Sequence, residues 1–375
     1  MTSWNEVRLH AISTVTQGGK LGLSGNDFVE EGYPAFGAGG MNGQVSQFEY
    51  EQAAIILSSI GARCGKCFYV SGRWTSLANT QVIIPDASKA DTRFLWYQLD
   101  NESSWHRSGT AQPFIKPMDV KNRIVRITSL AEQRRIAAIL DRADTLRAQR
   151  RATIEQLNSL RASVFVELFG DTSHWTLAPV AEIAAPESGA IRTGPFGSQL
   201  LTSEFTNDGI AVLGIDNAVS NEFKWSERRF VSNEKYQQLK RYTVLPGDVL
   251  ITIMGTCGRC AIVPDDIPPA INTKHLCCIT LDRSKMLPEF LHAYFLRHQN
   301  AQRYLKSKAK GAIMTGLNMG IIKEMPVPLV PMELQESFAR RISMIDGVKA
   351  THRAALSELD ALFASLQHRA FRGEL

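Results

Sequence analysis

Ser129–Phe169 reads SLAEQRRIAAILDRADTLRAQRRATIEQLNSLRASVFVELF. About forty residues pass without proline or glycine, enough for one helix of roughly 60 Å. Ile136, Ala143, Leu157 and Val164 fall on one seven-residue series, with Arg150 in its gap. A second series takes Ile139, Leu146 and Leu160, with Thr153 in the gap. That 3.5-residue period predicts a coiled-coil seam rather than the broader stripe of a globular helix. Ser129 with Glu132 and Gln133 supplies a capped start, and Gly170 a stop. A helix so long in mid-chain needs a partner.

The partner lies 202 residues on. That shift carries Gln133 to Gln335, Asp144 to Asp346, Arg151-Ala152 to Arg353-Ala354, Leu157 to Leu359, Leu160 to Leu362 and Phe169 to Phe371. The first series becomes Phe338, Ile345, His352, Leu359 and Leu366, so Arg150 and His352 occupy the same polar slot in the two helices. A polar seam residue fixes register at some cost in stability.

The repeat extends beyond the helices. Residues 1–128 read as a strand-rich domain: an opening segment Trp4–Ile12, a buried strand over Ala53–Ser59, another over Gln81–Ile84, and a short amphipathic helix from Phe94. Residues 171–330 repeat that plan. A shift of 193 takes Ile56–Ile60 to Val249–Ile253 and Cys64-Gly65-Lys66-Cys67 to Cys257-Gly258-Arg259-Cys260. Phe94-Leu95 returns as Phe290-Leu291, Trp4 as Trp175 and Gly109 as Gly311. Offsets that drift this little over a whole chain indicate duplication. The expected fold class is α+β: two pseudo-symmetric strand-rich domains, 1–128 and 171–330, separated by two long helices, 129–170 and 331–375, that pair as an antiparallel coiled coil.

Composition narrows the function classes. The chain has 375 residues, 44% hydrophobic and 21% charged, with a net charge of +5 and a pI near 8.8. That is ordinary for a globular protein, and mildly basic, which permits a polyanionic partner. No run approaches eighteen apolar residues and the start MTSWNEVRLH is no signal peptide, so no membrane role and a cytoplasmic location are expected. Six cysteines in such a chain are expected to be reduced thiols.

No convincing active site is visible. There is no P-loop, G-x-S-x-G or H-E-x-x-H. The glycine-rich stretch 32–43 lacks the dinucleotide-binding spacing and reads as turns and hairpin ends. Pro268-Pro269 lacks the aromatic residue that would grip a flipped base. Asp86 and Asp119 are too loosely spaced for a nuclease set, and the second half lacks them. Two C-x-x-C pairs could suggest zinc or redox chemistry. Each pair, however, lies in a different domain and runs straight into a strand, and Cys277-Cys278 are adjacent within one. A hairpin turning on glycine, with Lys66 or Arg259 pointing outward, is the better reading.

Basic, amide and hydroxyl groups do cluster at expected loops of both halves. The first half has Lys20, Arg63, Lys66, Arg73, Arg107, Ser108, Thr110 and Gln112, with His106 beside them. The second has Arg192, Thr193, Ser198, Gln199, Arg259, Lys274, Lys306, Lys308 and Lys310, with Lys224, Arg228, Arg229 and Arg303. Lys and Arg neutralise phosphates, and Arg, Asn, Gln, Ser and Thr read base edges.

Five stretches resemble the specificity subunits of type I DNA restriction-modification systems. Leu130–Leu140 resembles the motif opening the family's central helix, and Ser365–Leu375 its C-terminus. Thr193–Leu200 and Leu245–Ile251 resemble segments of its target-recognition domains, as does Gly32–Gly37 for another form of that domain. The departures are Thr128-Ser129 where Pro-Pro is usual and Leu334-Gln335 where Glu-Gln is usual. The resemblance implies a non-catalytic chain in which each globular domain reads half of a bipartite site in the major groove of double-stranded DNA, while the coil sets the spacer. It further implies two modification (methyltransferase) subunits carrying S-adenosylmethionine and a restriction (translocase/nuclease) subunit using ATP and Mg. No cofactor or metal is expected on this chain. Rival classes are a stand-alone DNA-binding regulator, a coiled-coil scaffold, and a zinc or redox protein built on the CGxC pairs.

Overall fold

The computed structural model describes residues 4–226, 228–309 and 316–375. The chain divides into two compact units, Met1–Ala152 with His352–Leu375, and Thr153–Thr351. Each unit takes one strand-rich domain, half of the central helix Leu130–Phe169 and half of the C-terminal helix Met332–Ala370.

In the first unit a four-stranded antiparallel sheet runs in the order Ser13–Gln17, Thr80–Pro85, Ala54–Ser58, Cys67–Val70. In the second the order is Ile191–Thr193, Leu276–Ile279, Val249–Thr252, Cys260–Ile262, with the same pairings. Each unit adds a second sheet containing one parallel pair, Tyr33–Gly37 with Arg73–Ser76 and Ile210–Leu213 with Ala270–Asn272. A two-stranded ribbon precedes the start of each long helix: Asn5–Arg8 with Ile124–Ile127, and Leu177–Pro179 with Pro326–Pro328. The glycine-rich stretch is itself strand: Tyr33–Gly37 and Gly40–Val45 form a hairpin, because glycines let the side chain of Phe28 lie directly on Gly43.

A buried glutamine joins each long helix to its domain. Gln133 accepts from the Asp91 amide (2.8 Å) and donates to the carbonyls of Lys89 (3.1 Å) and Thr128 (2.8 Å). Gln335 accepts from the Leu287 amide (2.8 Å) and donates to the carbonyls of Lys285 (3.1 Å) and Val330 (2.8 Å). Asp91 and Leu287 are the N-cap residues of the short helices Thr92–Leu99 and Pro288–Arg297. The end of the other long helix closes the same core: Phe371 meets Phe94 edge-on at 5.3 Å in the first unit, and Phe169 meets Phe290 at 4.8 Å in the second. The duplication read from spacing is thus a duplication of hydrogen bonds and ring contacts.

The seam differs from expectation in one series. Ile136, Ala143 and Val164 are buried. Leu146 and Leu160 are not: they stand 44% and 47% exposed. Their places are taken by Leu140, Arg147, Ile154 and Arg161, one residue further on; a heptad seam accepts a second series three or four residues from the first, and the fold uses the four-residue one. Two arginines tolerate those slots because each lays its stem in the seam and its head on an aspartate of the opposite helix. Arg147 bonds Asp360 at 2.6 Å in the first unit, and Arg161 bonds Asp346 at 2.8 Å in the second. Arg150 and His352, repeat equivalents, bond each other: the guanidinium donates to Nδ1 at 2.9 Å.

Candidate nucleic-acid interface

The registers decide where the loops go. In the first unit Gln17, Gln81 and Leu57 lie abreast, and Leu57 pairs with Cys67. The loop after Gln17, the turn before Thr80 and the CGKC hairpin therefore emerge at one end of the sheet. Ser108–Phe114 joins them, since Phe114 bridges Ile60 and the Ile115 amide donates to Ser59 O at 2.9 Å. Lys20, Arg63, Arg107, Ser108, Thr110 and Gln112 share that end. Arg73 does not. It begins a strand at the opposite end, paired with Glu51 at 2.8 Å.

Lys66 departs from the expected outward pose. Its ammonium bonds Asp100 at 2.7 Å, and Asp100 also accepts from the Cys67 amide at 3.1 Å. Gly65 has φ +99°, and a Cβ there would sit 2.9 Å from Glu102 O, so the hairpin needs glycine. Burial pushes the Cys67 and Cys260 thiols up and Cys277 up to about 12. These thiols stay protonated, which is the opposite of what a redox or metal-binding pair needs. Among the described residues no cluster of His, Cys, Asp or Glu could hold a metal ion.

In the second unit Thr193, Cys277 and Ile251 lie abreast, and Ile251 pairs with Cys260. Thr193, Ser198, Gln199, Arg259 and Lys274 gather at that end, with Arg259 exposed and Lys274 half-buried. Gln199 is engaged by another segment, accepting from the Tyr242 hydroxyl at 2.9 Å. Lys306 and Lys308 are not in a loop: they close the helix Gln299–Ala309, whose Ala301 and Leu305 are buried one turn apart. Lys308 faces Glu324 at 4.0 Å. Lys310 lies outside the described residues.

Arg192 is a correction. It sits in a strand, 9% exposed. Its guanidinium bonds Asp248 at 2.6 Å, Thr280 Oγ1 at 2.9 Å and the Thr243 carbonyl. Asp248 also accepts from the Thr280 hydroxyl (2.6 Å) and the Leu245 amide (2.9 Å). Arginine is the cation best suited to such a buried fork, and composition alone cannot tell it from a DNA-facing one. The motif Leu245–Ile251 is thereby explained as the frame of a buried ion pair.

Between Leu213 and Phe230 a long loop closes a groove of about 430 Å³ with Pro195, Leu200, Thr202, Thr273, Lys274 and His275. The loop is held from behind. Lys349, buried on the C-terminal helix, bonds Glu222, and His292 donates from Nε2 to Asn221 O (3.0 Å) and Cys260 O (3.1 Å). In front, Asp216 bonds Arg229 at 2.6 Å and accepts from the Ser226 hydroxyl. Burial, then Lys274 and Arg229, push the His275 pKa down. Asp216 and His275 escaped the sequence reading. Neither belongs to a basic run, and Asp216 meets Arg229 only through loop closure.

His292 carries a pH prediction. Burial and the nearby Arg161 and Arg297 push its pKa down to about 4, against the two carbonyls that favour its proton. Between pH 6.5 and 4 the unfolded chain takes up a proton that the folded imidazole refuses, so stability falls as pH falls through that window. At pH 4.5 the second unit should have lost about 2–3 kcal/mol through this group alone. Urea unfolding of wild type and His292→Gln at pH 7 and 4.5 checks it; equal acid sensitivity in the two would refute it.

Comparison with known proteins comes to the same place. The family model for the type I restriction modification DNA specificity domain matches residues 1–156 and 199–361. The chain is 27% identical over 319 residues to the type I restriction enzyme EcoBI specificity subunit of Escherichia coli, covering 76% of this chain and 66% of that protein. It is 22% identical over 345 residues to the MjaVIII specificity subunit of Methanocaldococcus jannaschii, covering 86% of this chain and 79% of that one. The crystal structure of the type I restriction-modification S subunit from M. genitalium superposes with a TM-score of 0.63 at 17% identity, over 99% of this chain and 96% of the other. A chain of another type I R-M assembly gives 0.53 at 16% identity, over 99% and 98%. With the family model spanning both repeats, the two matched sheets and the paired long helices are those of a type I restriction-modification DNA specificity protein, and the chain belongs to that family.

Proposed function

We propose that this chain is the DNA-reading, non-catalytic part of a cytoplasmic type I restriction-modification complex. Each strand-rich domain reads one half of a bipartite target in double-stranded DNA through the loops at one end of its sheet. The observation that carries this is the duplication of that loop-bearing end, with its basic and hydroxyl side chains, inside a member of the specificity family. The two long helices set the spacer between the half-sites. Leu146 and Leu160 on one helix and their equivalents Val348 and Leu362 on the other leave apolar surface in water, which suits the docking of two modification subunits. Those subunits would bring S-adenosylmethionine and the methyl transfer. A restriction subunit would bring ATP, Mg and cleavage.

Co-expression with the cognate modification subunit, followed by methylome sequencing of host DNA, tests the reading. The expected result is one bipartite motif with a defined spacer and adenine methylation in both halves. Deleting one heptad from each long helix removes roughly 10 Å of coil. It should shorten the spacer by about three base pairs while leaving both half-sites unchanged. A stable complex that methylates no new motif would refute the reading.

A further inference from the structure

The groove of the second unit contains a guanidinium prepared for one particular base. Arg229 precedes the strand Phe230–Val231, and its Nη2 donates to Asp216 Oδ1 at 2.6 Å. The other Asp216 oxygen accepts from Ser226, so the carboxylate is fixed in its turn. Gly214 leaves the space this needs: a Cβ there would lie 2.6 Å from Arg229 Nη2. Arg229 Nε is enclosed and, among the described residues, has no hydrogen-bond partner. Arg229 lines the groove beside Lys274 and His275, and among the described residues only Nη2 of its guanidinium is bonded.

A carboxylate-held arginine is poorly placed to serve as a mobile phosphate clamp, because its charge is partly neutralised and its rotamer is fixed. What it offers is two parallel N–H donors in a set orientation. In the major groove only guanine presents two adjacent acceptors, O6 and N7; adenine pairs an acceptor with a donor, and cytosine and thymine lack the pair. Resting on the DNA-reading function proposed above, we infer that Arg229, positioned by Asp216 and Ser226, reads a guanine in the half-site of the second domain.

The test uses the full chain in complex with its modification subunits and duplexes carrying the methylome-derived motif. Each guanine of the motif is replaced in turn by 7-deazaguanine, which removes the N7 acceptor. One guanine, in one half-site, should weaken wild-type binding at least about tenfold when so replaced. In Arg229→Ala the same replacement should change binding less than twofold, and the methylome should lose its preference at that position alone. Arg229→Gln keeps a polar side chain without the two parallel donors and should behave like alanine, which covers the case in which the alanine chain does not assemble. If every guanine penalty of the wild type persists in the variants, or no guanine is sensitive, the assignment to Arg229 is overturned. A wild-type complex that selects no bipartite motif overturns the parent function instead, before Arg229 is in question.

Discussion

Replacing Asp248 with alanine should destabilise the second unit by about 3–5 kcal/mol, the cost of stranding a buried cation. Asp248 is 1% exposed and collects Arg192, the Thr280 hydroxyl and the Leu245 amide on its two oxygens. Removing it leaves Arg192 facing only carbonyls and one hydroxyl inside the sheet. Asp248→Asn keeps acceptor oxygen but not charge, and should cost less. Adding Arg192→Met to Asp248→Ala should recover part of the loss, because it removes the unpaired charge. Chemical denaturation with the double-mutant cycle measures all of this. A loss below 1 kcal/mol for Asp248→Ala, or no recovery in the double variant, would mean the pair is not the frame described.

Gln133→Leu and Gln335→Leu should each cost about 3 kcal/mol or more, since each strands one amide and two carbonyls that are otherwise paired, at about 1–3 kcal/mol per group. Leucine restores apolar volume, so the loss reports the polar bonds rather than a cavity. The damage should also be local. Gln133→Leu should release hydrogen-exchange protection at the Asp91 amide while Leu287 keeps it, and Gln335→Leu should do the reverse. Loss of both amides in either variant would show that the two units do not hold their clamps independently.

Much of this architecture was legible before any coordinates. Slowly drifting offsets along the chain required duplicated domains and duplicated helices, and the helix-free strand patterns around the CGxC pairs required hairpins on glycine, which Ala54–Ser58 with Cys67–Val70 and Val249–Thr252 with Cys260–Ile262 provide. Gln133 and Gln335 were visible as a repeat, but not as clamps, because what they bind are backbone groups some forty to fifty residues earlier in the chain and at the helix start, which leave no mark on side-chain spacing.

The amino-acid sequence alone determined the two-domain, two-helix plan, because spacing and repetition are properties of the chain. Tertiary structure decided which side chains are free to act. A seam shifted by one residue exchanges Leu146 and Leu160 for Arg147 and Arg161, and along the chain the series with Leu146 and Leu160 is the more apolar until the partner helix supplies Asp360 and Asp346. Arg192 and Arg229 are the same residue type in the same half. One is folded into the core by a buried carboxylate, and the other is held at the rim of a groove by a half-exposed one. Burial and the pairing that goes with it depend on contacts between distant residues, so charge and spacing along the chain do not encode them locally.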